Sequence, residues 1–297
     1  MAPPSNLRGI GAVLLATGAF VANDSCMKLA LSDSPPFQVL VMRGVAACLW
    51  CLPILMAMGF TRDLPKTFNR WVVLRALFET FAILSFILAL GQMPIADVTA
   101  MAQITPLLVL VGIWAFWGEK IGTLRLALIG LGISGALLVA QPGSSAASPF
   151  AILGFFTAVG AAGRDIVTRK VPAGTPALIV TFSTLLIVMV SALACSLLFE
   201  TQVAPTFRHV WLMAVAGLFL MFGHAFIFLA FRISPARVVA PFTYSFMLWA
   251  GLSGYFLFGQ LPNALALGGM LLILLAGLAV VLLEGRTRQG DPGVSKI

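Results

Sequence analysis

Leu88–Glu119, LALGQMPIADVTAMAQITPLLVLVGIWAFWGE, and Leu229–Gln260, LAFRISPARVVAPFTYSFMLWAGLSGYFLFGQ, are two versions of one segment. Leu88-Ala89-Leu90 matches Leu229-Ala230-Phe231, Ala96-Asp97-Val98 matches Ala236-Arg237-Val238, and Gly118-Glu119 matches Gly259-Gln260. The same offset of 140 to 142 residues relates Gly18 and Lys28 to Gly160 and Lys170, Trp71 to Trp211, and Phe86-Ile87 to Phe226-Ile227. A constant offset along a whole apolar chain marks an internal duplication. In a polytopic membrane protein such a duplication is the sequence mark of a carrier built around a site between its halves.

The chain is 60% hydrophobic and only 9% charged, with 23 Phe among 297 residues, and its mean hydropathy is +1.05. Soluble domains do not have that composition, so the chain belongs in a bilayer. The apolar stretch from Ile10 resembles a signal-peptide core behind Arg8, but nine comparable stretches follow it, which makes it a retained first span. The net charge of +8 is spread as single basic residues between apolar spans, which argues against a nucleic-acid partner. Cys26, Cys48, Cys51 and Cys195 lie inside apolar stretches and act as small hydrophobes; the Cys48-x-x-Cys51 spacing stands alone and is read as packing rather than metal or redox chemistry.

Breakers and charges divide the chain into ten apolar segments, at 8–30, 36–58, 70–91, 95–117, 121–140, 150–170, 176–199, 209–230, 236–258 and 263–284. Each is long enough to cross a hydrocarbon core of about 30 Å as a helix, and no alternating strand pattern is present. With a cytoplasmic N-terminus, the inner side carries Arg8, Arg62, Lys66, Arg70, Lys120, Arg125, Arg169, Lys170, Arg232, Arg237, Arg286, Arg288 and Lys296, against Lys28 and Arg208 outside. That asymmetry puts both termini inside. Five spans per copy then force the second copy to enter from the opposite face. The expected fold is an all-α integral membrane protein of ten transmembrane helices in two inverted five-helix repeats, residues 1–143 and 144–297, related by a two-fold axis in the membrane plane. Asp97 and Arg237, equivalent in the repeat, fall on opposite sides in this scheme, as the charge rule requires.

Asn23-Asp24 with Lys28, Arg43, the run from Met93-Pro94 through Ala96-Asp97 to Thr105-Pro106, and Trp117-Gly118-Glu119 followed by Gly130 together resemble the EamA family of the drug/metabolite transporter superfamily. The resemblance covers nearly the whole chain, more loosely in the second half, where Gln260 replaces the expected acid. It implies a basket of ten helices around a central cavity lined mainly by the first, third, fourth, sixth, eighth and ninth spans. It also implies activities such as export of amino acids and other metabolites, or uptake of riboflavin or S-adenosylmethionine. The Asn23-Asp24 and Gly163-Arg164-Asp165 versions look closer to the vitamin and nucleoside-like uptake members.

An ionisable side chain at mid-membrane costs about 2.5 kcal/mol or more, so each one kept there needs a partner, a cavity or a function. Glu79 lies one helical turn after Arg75, which leaves two readings, an ion pair with Arg75 or a cavity acid for a cation or proton. Asn23 and Asp24 follow a stripe of Ala12, Ala16 and Ala19, and Asp165 follows Gly154, Ala158 and Ala161, so Asp24 and Asp165 are candidate gates, unless Asp165 merely pairs with Arg164 or Arg169. Arg43 has no acid nearby on its own helix and is left to snorkel outward, to meet Asp24 or to bind an anionic substrate. His224, mid-span, is the natural proton carrier if it is not simply packed. Gln103, Thr243 and Tyr244 sit at repeat-related places near mid-membrane, and Tyr244 and Trp114 offer flat faces to a ring. Pro106 and Pro241 fall inside spans and are candidate hinges. Glu119 beside Lys120 reads as a conformational lock, and Gly130, Gly132, Gly135, Gly268, Gly269 and Gly277 as peripheral packing or a homodimer contact.

No Walker motif, metal set, cofactor motif or nucleophile–base constellation is visible, so direct ATP use and enzymatic chemistry are not expected. A channel would call for a repeated polar ring. What remains is a secondary transporter of a small organic metabolite in the inner (plasma) membrane, its cargo vitamin-like or nucleoside-like, or else an amino acid or drug, with proton coupling through Glu79, Asp24 or His224.

Overall fold

The computed structural model describes residues 4–118, 122–142 and 148–287. Among these the chain is helical and without strands. The helices are α1 (Pro4–Ala30), α2 (Pro36–Ala57), α3 (Arg70–Gln92), α4 (Ile95–Ala102), α5 (Thr105–Trp117), α6 (Thr123–Ala140), α7 (Ala151–Thr168), α8 (Ala177–Phe199), α9 (Phe207–Ile233), α10 (Ala236–Val239), α11 (Ser245–Phe258) and α12 (Ala264–Thr287). Two 3₁₀ segments, Phe60–Phe68 and Ala240–Tyr244, connect α2 to α3 and α10 to α11. Each expected span meets helix within a few residues of its expected ends. Prolines punctuate them for a reason: Pro36 opens α2, and Pro94, Pro176 and Pro235 immediately precede α4, α8 and α10, where a missing N–H costs nothing.

Nine helices among the described residues are long and apolar enough to cross a membrane. The expected ninth span, 236–258, is the exception, because it divides into α10, a 3₁₀ turn and α11 and presents no continuous apolar rod. The fourth span is also interrupted, between α4 and α5, at the repeat-equivalent place. Proline causes both breaks. Pro106 cannot donate to the carbonyl of Ala102, and the Thr105 hydroxyl caps that carbonyl instead at 2.6 Å. In the second break, which contains Pro241, Thr243 Oγ1 donates to Ala240 O at 2.7 Å and Ser245 Oγ to Phe242 O at 2.6 Å. Non-helical backbone at membrane depth needs such replacement partners. Both spans then end on a glycine in the left-handed conformation, Gly118 with φ 68° and Gly259 with φ 63°, a cap that other residues adopt at a cost.

The main helix pairs are α1 with α9, α3 with α7, α2 with α8, and α6 with α12. Small residues set how closely they approach. A Cβ on Gly160 of α7 would lie 2.8 Å from the Ala82 backbone nitrogen of α3, and one on Gly217 of α9 would lie 2.8 Å from that of Ala47 in α2. Gly135 of α6 is similarly closed against the Gly269 carbonyl of α12, at 2.7 Å. Gly135 and Gly269 therefore serve the α6–α12 contact within one chain, Gly132 is covered by Leu107 of α5 and Gly277 by Tyr244; only Gly130 and Gly268 of the expected set face open space. The largest buried cluster runs through Met27, Leu40, Ile87, Leu90, Ile95 and Ile104 and ties both halves together.

Candidate functional site

Within this apolar body the charged side chains of α1, α2, α3 and α7 form one alternating series. Asn23 Nδ2 donates to Asp24 Oδ1 at 2.8 Å. The charge of Asp24 acts on Arg43 of α2, and Arg43 also feels Glu79 of α3. Glu79 Oε2 accepts from Arg164 Nη1 of α7 at 2.7 Å, and Arg164 Nε donates to Asp165 at 2.8 Å. Three acids thus alternate with Arg43 and Arg164, and Arg75 stands beside them.

Glu79 does not take Arg75 as its bonded partner, although the spacing on α3 allows it. The Arg75 guanidinium turns to two hydroxyls of other helices, Thr168 Oγ1 at 3.2 Å and Thr184 Oγ1 at 2.9 Å, and reaches Glu79 only through space. Side-chain exposure of 26% for Arg164 and 20% for Glu79 leaves their bridge partly open. Asp165 bonds Arg164, the plainer of its two expected roles. His224 on α9 is half-buried, with Nδ1 donating to Leu220 O at 2.8 Å and Phe20 edge-on at 5.3 Å. That bond fixes the proton of the neutral ring on Nδ1, so Nε2 is the free acceptor; the Glu79, Arg75 and Arg43 charges all reach the ring.

The two broken spans meet. Gln103, at the end of α4, donates from Nε2 to the Thr243 carbonyl at 3.2 Å, so the expected proximity of Gln103 and Thr243 is real. Tyr244 is turned elsewhere: its buried hydroxyl packs on Gly277 of α12 without a hydrogen-bond partner, and its ring is not offered to the charged series. Trp114 is 54% exposed on α5, outside the buried polar set. The structure does not bring these two rings together. Glu119 and Lys120 lie outside the described residues, as do the side chains of Trp117 and Arg237.

A second polar group closes one end of the bundle. Lys28 Nζ donates to Leu90 O at 2.8 Å and Met93 O at 2.6 Å, capping the C-terminus of α3, and lies 5.6 Å from the Phe258 ring centroid. Asp97 is its electrostatic partner and keeps one buried oxygen unbonded. In the turn after α1, Asp33 accepts from Arg208 at 3.1 Å and from His209 Nε2 at 3.0 Å. His209 Nδ1 accepts from the Thr206 N–H, which leaves the ring proton on Nε2, 3.0 Å from Asp33 and 3.2 Å from the Ser34 hydroxyl. The His209 hydrogen bond, with Ser32 and Arg208 helping, holds the Asp33 carboxyl below the usual carboxylate range.

A separate crevice of about 380 Å³ among α4, α6 and α7 is lined by Met101, Ile104, Ala136, Leu137, Ile152 and Phe155. It touches none of the charged series. No group of three or more metal-ligating side chains occurs among the described residues, and the four cysteines are free thiols.

The chain is thus a multi-span helical membrane body in which a charge series links four helices and two interrupted stretches meet. Over residues 7–141 the chain matches the model of the EamA-like transporter family. The pseudopaline exporter CntI of Pseudomonas aeruginosa is 24% identical over 284 residues, covering 95% of this chain and 97% of that protein. A riboflavin transporter of Rhizobium johnstonii is 26% identical over 82% of this chain and 80% of its own length. An S-adenosylmethionine uptake transporter of Rickettsia bellii is 24% identical over 93% and 94%. These relatives are named as transporters and not as enzymes. A solved crystal structure at 21% identity superposes with a TM-score of 0.56, covering 96% of this chain and 98% of that one, and shares the fold.

Proposed function

We propose that the chain is a secondary transporter that carries a small organic metabolite across the inner (plasma) membrane by alternating access between two inverted five-helix repeats, 1–143 and 144–297. The observation that carries this reading is the pairing of helices. Phe20 of α1 covers Gly223 of α9, and Gly160 of α7 covers Ala82 of α3. Moving one partner forward by the repeat offset and the other back carries the first contact onto the second within a residue. The same operation carries Asp33–Arg208 onto the neighbourhood of Lys66, whose Nζ donates to Gly174 O at 2.9 Å. An inverted repeat with both termini inside accounts for that correspondence.

The substrate is placed at Asn23, Asp24, Arg43, Glu79, Gln103, Thr243 and His224, with Asp165, Pro106 and Pro241 moving as gate and hinges. Names of relatives support a metabolite cargo, riboflavin-like or nucleoside-like, with an amino acid or drug as the other choice. Proton coupling through Glu79, Asp24 or His224, and a homodimer face near the open Gly130 and Gly268, belong to the same proposal. Counterflow in proteoliposomes tests it: a labelled compound that binds must accumulate against unlabelled compound inside, and its failure to exchange for every bound compound overturns the carrier.

A further inference from the structure

Arg43 is the anomaly of the buried charge series. It is 4% exposed, carries five N–H donors, and makes no hydrogen bond or ion pair with any described residue; its Nε is sealed from solvent and unbonded. The other arginines of the interior are bonded, Arg75 to two threonines and Arg164 to two acids. The acids whose charge reaches Arg43 are engaged elsewhere, Asp24 by Asn23 and Glu79 by Arg164. Asn23 is the complementary anomaly. It is 2% exposed, its amide nitrogen is committed to Asp24, and its Oδ1 is left buried with nothing to accept from. Arg43 therefore offers an unfilled guanidinium within the electrostatic reach of Asp24, whose bonded neighbour Asn23 keeps an unfilled carbonyl oxygen.

Charge selects the class of ligand. Asp24, Glu79 and the exposed Asp165 balance Arg43, Arg75 and Arg164, so a lone anion or cation at the buried Arg43 and Asp24 would add an uncompensated charge where water is scarce. An uncharged ring edge keeps the balance but gives the guanidinium no anionic oxygens. A zwitterion keeps the balance and fills both vacancies. Resting on the transporter reading, we propose that Arg43 and the Asn23-Asp24 pair form the polar anchor of the substrate site, and that the anchor takes a zwitterionic head group. Its anionic oxygens lie on the Arg43 guanidinium and its ammonium donates to Asp24 and Asn23 Oδ1. Guanidinium and carboxylate suit one another through two parallel hydrogen bonds.

Thermal shift and equilibrium binding on the purified full-length protein test it. The zwitterionic probes are the twenty amino acids and S-adenosylhomocysteine; the uncharged probes are riboflavin and 5′-methylthioadenosine, which keeps the nucleoside and lacks the amino-carboxylate. At least one zwitterion binds, and its methyl ester and its N-acetyl derivative each bind about tenfold or more weakly. Arg43→Gln weakens the parent zwitterion by a similar factor and leaves the ester unchanged. If Arg43→Gln does not fold, the ester and N-acetyl comparisons on the unaltered protein decide. Binding confined to the uncharged probes, no zwitterion bound, or an ester as tight as its parent overturns the anchor. The two proposals fail separately: a zwitterion that binds without counterflow removes the carrier and keeps the anchor, whereas counterflow of riboflavin alone removes the anchor and keeps the carrier.

Discussion

Glu79 and Arg164 show what a single residue decides here. Glu79→Ala leaves Arg164 with one acid, and losing one partner of an inward-facing pair costs about 3 kcal/mol or less, the lower end for buried pairs because water reaches this one. A thermal unfolding series of Glu79→Gln, Arg164→Gln and the double variant measures it; the double variant is expected to lose less than the two singles added together. Asp33 sits outside the spans, so its effect is one of pH. Its folded pKa lies below the unfolded value of about 3.9, so its contribution is present above that value and fades as pH falls through the folded pKa. Asp33→Asn therefore lowers the melting temperature at neutral pH and flattens its fall in acid, and identical profiles for both proteins would remove the His209 bond from the account. Arg43 was visible in the sequence as a cation without an acid on its own helix. Its lack of any bonded partner was not visible, because that depends on Arg164 arriving from α7 to claim Glu79.

At the scale of elements, the broken fourth and ninth spans matter most. Straightening them with Pro106→Ala and Pro241→Ala restores backbone donors and removes the interior proline penalty, about 3 kcal/mol relative to alanine in a regular helix. The expected outcome is a protein at least as stable that binds its substrate and turns over more slowly; unchanged exchange rates in both variants would show that the breaks are not hinges. Span positions were legible because apolar length and proline punctuation act locally along the chain. The break in the ninth span was half legible, since Pro241 announces it, but its depth depends on the Gln103–Thr243 bond between distant segments. Partners across helices were the part that sequence spacing could not supply: the one-turn interval from Arg75 to Glu79 is as good as any, yet Thr168 and Thr184 win Arg75. The packing of Tyr244 was hidden for a similar reason, as it fills the room left by Gly277 of α12, which lies far along the chain.

The whole molecule is held at two ends by related contacts, Asp33 with Arg208 and Lys66 with Gly174. Cysteine pairs placed there, in a background with the four native cysteines replaced, test the alternation: each crosslink alone stops counterflow, and crosslinking at one end lowers the yield at the other. Equal yields at both ends in one population would contradict alternation. Thr17 Oγ1 meets Ser245 Oγ at 2.8 Å, Ser25 Oγ meets Ser253 Oγ at 2.6 Å, and Trp249 Nε1 reaches Leu14 O at 3.1 Å. The two hydroxyl pairs share an offset of 228 residues, so α1 and α11 run side by side in the same direction, and Trp249 adds a third tie between them. A helix from the first half of the sequence is thereby fastened to one from the second, as α3 is to α7 through Glu79 and Arg164. The two halves of the sequence are thus interlocked, and neither can shift as a body without breaking contacts that the other supplies.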